Sequence, residues 1–257
     1  MIIDAHVHIT EDGKWFDTNH NASVERLIKS IGESEIDKAV VLPITPFISN
    51  EFVAKICNEY PDKLIGFASV NPLDSDAAKK LEQDIIKYDL KGLKLHPRLQ
   101  NFKPNNPIYF PIYKKAEELG IPILFDTFLN KPTLLKDQIP LLYDEIARII
   151  PDTPIIMAHF GGFKFLEALA VANANKNIYF DISGTLEYFY NTPYQDQIKF
   201  VFEKVGFNRI IYGSDYPEKG IQENLIFTRK VFETFNISEE DSYKILSKNI
   251  LKIIGRY

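Results

Sequence analysis

Two histidines one residue apart, in the apolar segment "IIDAHVHI" (residues 2–9), are the first groups in this chain able to do chemistry. Side chains alternate along a strand, so Asp4, His6 and His8 are expected on one face and Ile3, Ala5, Val7 and Ile9 on the other. Two imidazoles so placed stand about 7 Å apart at their Cα atoms and can converge on one divalent ion. The plainer reading of so short a pattern is a pair of satisfied polar residues on a half-exposed strand. Asp215, in "YGSDYP", is the best third ligand, because an unpaired carboxylate at the end of an apolar strand needs a cation or hydrogen bonds to compensate it. A turn carboxylate before Pro217 is the alternative. His159, in "MAHFGG", reads as a ligand or a proton carrier beside the ion, or else as a histidine bonded to backbone.

The elements that must position these groups recur along the chain. Apolar, β-rich runs occur at 1–9, 38–44, 64–70, 91–97, 121–127, 154–160, 177–183 and 209–215. Amphipathic stretches such as "VERLIKSIGES" and "AAKKLEQDIIKY" lie between them. Alternation at this spacing signals parallel strand–helix–strand units, and eight of them in 257 residues predict a single-domain (β/α)8 TIM barrel over 1–257. A doubly wound open sheet is disfavoured, because no G-x-G-x-x-G follows the first run. His6, His8, His96, Asp126, His159, Asp181 and Asp215 all fall at or just past the C-terminal ends of these runs, where barrel enzymes build their sites.

Composition narrows the function classes. A hydrophobic content of 45% with 13% aromatics supports a buried core. A net charge of −5 without a basic stripe argues against nucleic acid as a partner. The single cysteine, Cys57, excludes an internal disulfide and fits a reducing compartment. No secretory signal and no apolar run long enough for a bilayer are visible, so a cytoplasmic protein without membrane partners is expected. The aromatics Tyr188, Phe189 and Tyr190 after the seventh run are expected to cover a pocket, or else to form a homodimer contact.

"IDAHVHI", "GLKLHP", "MAHFGG" and "IYGSDYP", in that order, resemble the amidohydrolase superfamily, in the branch that includes aminocarboxymuconate semialdehyde decarboxylase. The resemblance runs through the terminal "SKNILKIIG". It implies that His6 and His8 are the strand-one metal pair, and that Asp215 both holds metal and handles a proton. It also implies that His159 contacts bound water or substrate. One position departs: "PILFDTFL" carries Asp126 where the family ends strand five with a histidine. Asp126 is read here as a fourth ligand, which would harden the site toward manganese or iron.

Lys94, His96 and Arg98 in "GLKLHPRLQNF" read as receptors for an anionic substrate group, with a snorkelling lysine and a solvated arginine as the alternative. Together these point to a hydrolase of a small carboxylated or cyclic compound, using one divalent ion, zinc foremost with manganese or iron compatible. Non-oxidative decarboxylation at the same site is the second reading. A barrel that binds without turnover is the third.

Overall fold

The computed structural model describes residues 1–130 and 132–255. Its eight strands follow the eight apolar runs: β1 (Ile3–Val7), β2 (Lys38–Val41), β3 (Leu64–Gly66), β4 (Leu93–Leu95), β5 (Ile123–Phe125), β6 (Ile155–Met157), β7 (Ile178–Asp181) and β8 (Ile210–Ile211). All pair in parallel, β1 to β3 in one ladder and β4 to β8 in another. A bridge between Ala68 and Leu93 joins the ladders on one side. On the other, Ala5 donates to Tyr212 O at 3.0 Å and Val7 bridges Tyr216, which closes the barrel.

Between strands lie α1 (Val24–Gly32), α2 (Asn50–Glu59), α3 (Ala77–Tyr88), α4 (Phe110–Glu118), α5 (Leu142–Ile149), α6 (Phe165–Ala174), α7 (Thr185–Phe189) and α8 (Gln195–Val205). After β8 come α9 (Ile221–Phe235), α10 (Glu239–Tyr243), a π-helical turn and α11 (Asn249–Ile254). The local causes are legible in α1. Ser23 Oγ accepts the Arg26 N–H as N-cap, Glu25 and Lys29 match the helix dipole, and Leu27 and Ile31 bury one stripe.

The sheet divides the core in two. Val40, Leu124, Ile156, Tyr179 and Ile211 form a small inner cluster with Ile3 and Ala5. Their neighbours Ala39, Val41, Ile123, Phe125, Ile155, Met157, Ile178 and Phe180 pack outward with the helices. On the same alternation Lys94, His96, Asp126 and Asp181 point into the lumen.

β1 breaks that alternation. Asp4 pairs with Ala39 and Val7 with Val41, so three steps on β1 face two on β2. Such a bulge flips the facing of everything beyond it. Ile3 and Ala5 therefore belong to the inner cluster, while Val7 and Ile9 belong to the outer one. His6 and His8 enter the lumen, but Asp4 does not share their face. This corrects the strict alternation expected from sequence.

Candidate active site

The ladders are short, and the polar residues stand at their C-terminal ends or in the turns just beyond. His6 Nε2 lies 3.0 Å from His8 Nε2 and 3.5 Å from Asp215 Oδ1, and His8 Nε2 lies 3.9 Å from that oxygen. Donors about 2.0–2.1 Å from a tetrahedral ion are about 3.3 Å apart, so this trio has the spacing of a ligand set.

The tautomers agree with that role. His6 Nδ1 faces Asp181 Oδ2 at 2.5 Å, and His8 Nδ1 donates to Leu42 O at 2.7 Å. Burial holds both imidazoles well below their usual pKa, hence neutral, and nearby Lys94 reinforces this. Each Nδ1 therefore carries the proton and each Nε2 a bare lone pair. Two unprotonated nitrogens 3.0 Å apart, converging with the Asp215 carboxylate, are a donor set that fits a divalent ion.

His159 lies beside the trio, its ring centroid 5.2 Å from that of His6. Four consecutive residues, His159 to Gly162, have positive φ, an arrangement that costs non-glycine residues about 1–3 kcal/mol each. The turn swings the imidazole off the end of β6 into the lumen. Gly161 is required there, since a Cβ would stand 2.5 Å from that of Ala168.

Both His159 nitrogens face acceptors: Nδ1 is 3.0 Å from Ser183 O, and Nε2 is 3.2 Å from Asp126 Oδ1. Burial alone would lower its pKa. The Asp126 hydrogen bond and the charges of Asp215, Asp126 and Asp181 outweigh burial and push it up to about 9. Ser183 Oγ, 3.2 Å from Nδ1 of both His6 and His159, ties the two rings together.

Asp126 stands apart from the trio, unlike the ligand read from sequence. Besides His159, its carboxylate lies 3.4 Å from His96 Nδ1 and 3.7 Å from Arg98 Nε. An aspartate reaches one bond less far than a histidine does through Nε2, and its cationic neighbours claim both oxygens. Burial would raise its pKa, but the hydrogen bond and charge of His159 and the charge of Arg98 hold it well below the usual carboxylate range, and His96 adds to this only in its protonated form. His96 accepts the Leu99 N–H on Nδ1, and burial pushes its pKa down to about 3, so it is neutral.

Lys94 does not snorkel. It is fully buried in the lumen, its Nζ 3.4 Å from His6 Nε2, and burial lowers its pKa. Arg98 Nε is buried with no hydrogen-bond partner among the described residues.

A cavity of about 520 Å³ opens over these groups. Trp15 stacks on His8 at 4.9 Å, and Phe16, Phe128 and Phe163 complete an aromatic wall that sequence reading did not assign. Its one signal was the aromatic content of the segment after β1. Tyr188 and Phe189 line the cavity as expected, from α7, whereas Tyr190 packs on Phe227 instead.

The family model described as amidohydrolase matches residues 3–256. The 2-amino-3-carboxymuconate-6-semialdehyde decarboxylase of Dictyostelium discoideum is 19% identical over 239 residues, covering 80% of this chain and 65% of that protein. The chain thus spans just under two thirds of this curated relative's length. Among solved structures, a TIM-barrel protein from Bordetella bronchiseptica superposes with a TM-score of 0.85 at 20% identity, covering 99% of this chain and 98% of that one. A 5-carboxyvanillate decarboxylase from Novosphingobium aromaticivorans, solved with manganese bound, gives 0.77 at 15% identity, covering 99% and 97%. A barrel closed by its first and last strands, with polar groups gathered at one end and a family match along nearly its whole length, places this chain in the amidohydrolase family.

Proposed function

We propose that the chain is a metal-dependent hydrolase of a small, planar, carboxylated compound. The observation that carries this reading is the pairing of unlike groups around one centre. The Asp215 carboxylate is one of the three converging donors, and the His159 imidazolium stands beside them. A divalent ion held by His6, His8 and Asp215 would polarise a carbonyl and lower the pKa of water toward about 7.

The chain's own groups supply the rest. Asp215 accepts the proton of the attacking water and returns it to the leaving group. His159 donates to the oxyanion, and Asp126 keeps it charged and aimed. Lys94 and Arg98 face the substrate's anionic group, with His96 as a neutral neighbour that completes the polar floor. The aromatic wall encloses a planar body and excludes water.

One observation favours non-oxidative decarboxylation as a second reading. An imidazolium with a pKa near 9 is an acid at neutral pH, and replacing a carboxylate by hydrogen requires an acid at carbon. Incubating carboxylated lactones and hydroxybenzoates with the manganese-loaded protein in ¹⁸O-water separates the readings. Hydrolysis puts ¹⁸O into the product. Carbon dioxide release without ¹⁸O in the organic product selects decarboxylation, and turnover of no member of the panel leaves the proposal without support.

A further inference from the structure

The bulge in β1 leaves the His6 N–H facing a group that is not part of any ladder. Asp4 Oδ1 accepts it at 3.1 Å, and the same oxygen accepts the N–H of Ser214 at 2.9 Å. Ser214 immediately precedes Asp215. One oxygen therefore holds both chain segments that carry the converging donors, at the seam where first and last strands meet. Elsewhere along that seam, backbone bonds run from Ala5 to Tyr212 O, from Asp215 to His6 O and from His8 to Tyr216 O.

Asp4 is a costly choice for a merely structural clip. It is fully buried, and Oδ2 has no hydrogen-bond partner among the described residues. An aliphatic side chain would suit the packing better, but would orphan two N–H groups that fix ligand-bearing backbone.

We propose that Asp4 is a positioning residue, which sets the His6-to-Asp215 spacing from behind the barrel wall by joining the N–H groups of His6 and Ser214. The proposal rests on reading His6, His8 and Asp215 as ion ligands, and it adds a residue that touches neither ion nor substrate.

The test compares Asp4→Ala, Asp4→Leu and Asp4→Asn in the full chain. Each is titrated with zinc and manganese, its visible absorption is recorded with cobalt(II), and its His ring ¹⁵N–¹H signals are recorded without metal. Asparagine keeps Oδ1, so Asp4→Asn should bind both ions within threefold of wild type with an unchanged cobalt spectrum. Asp4→Ala and Asp4→Leu should lose about 10- to 100-fold in affinity, the scale for groups that orient ligands, with a shifted cobalt spectrum.

Wild-type affinity in both Asp4→Ala and Asp4→Leu overturns the proposal, as does a loss in Asp4→Asn equal to theirs. Should wild type bind no ion, the ligand reading fails, and the ring signals decide for Asp4. A displaced His6 Nδ1–H signal in Asp4→Leu but not in Asp4→Asn supports it, and an unmoved signal in both overturns it.

Discussion

Asp126 and His159 form the pair on which the proposed chemistry turns, and each yields a prediction. If the His159 imidazolium is the working form, kcat/KM of the ion-loaded protein falls on the alkaline side, at a pH no higher than the ion-free value of about 9, because an ion on Asp215 offsets one of the charges that raise it. The stability sign is the same. A raised histidine pKa stabilises the fold fully below about 6.5, the unfolded value, and the contribution is lost as pH rises through about 9. Asp126→Asn removes the hydrogen-bonded charge and should move the alkaline limb toward neutrality by at least one pH unit, read from the pH–rate profile. Zinc titration gives a second outcome. Asp126→Ala should bind within a few-fold of wild type, whereas Asp215→Ala should lose at least 100-fold, because only the latter removes a converging donor. The sequence showed which residues gather, since polar groups at the ends of apolar strands are conspicuous. Which neighbour each would engage was not legible. Asp126 stands where the resemblance expected a ligand, and only its distances to His159, His96 and Arg98 set it apart from the converging trio.

At the scale of elements, the eight strands and most of the helices between them were legible from periodicity, because a parallel strand buried on both faces is a continuous apolar run, whereas the short α7 was not. Two departures were not. The bulge in β1 adds one residue to a pairing, which a pattern of single residues cannot show. The left-handed turn over residues 159–162 gave only the hint of two adjacent glycines. A third glycine permits the seam itself. A Cβ on Gly213, beyond β8, would stand 2.6 Å from His6 Cβ and 2.8 Å from Asp181 Oδ1. Gly213→Ala should therefore push the β8 extension from β1. Overpacking of this kind costs about 1–3 kcal/mol, or roughly 2–12 °C in Tm for a chain of this length. Zinc affinity should fall with it, and calorimetry with ion titration checks both losses in one preparation.

For the whole molecule, an ion that binds the folded barrel and not the unfolded chain must raise its melting temperature. At 100 times Kd the gain is about 2.7 kcal/mol, or about 5–11 °C, and a chelator should abolish it. Thermal scans with zinc, with manganese and with EDTA give the comparison, and His6→Ala should erase the difference.

The seam between β1 and β8 has a further consequence, in time rather than energy. His8 and Asp215 are 207 positions apart (215 − 8), and their strands belong to different ladders, so neither ladder alone contains the full donor set. Contacts of such separation form late, after the loops between them have closed. The ion cannot fully engage a chain whose ends have not met, so it should not trap a half-made barrel. In stopped-flow refolding, the zinc signal should then rise with the slowest phase, behind the burst of helix formation, and its rate should not depend on zinc concentration.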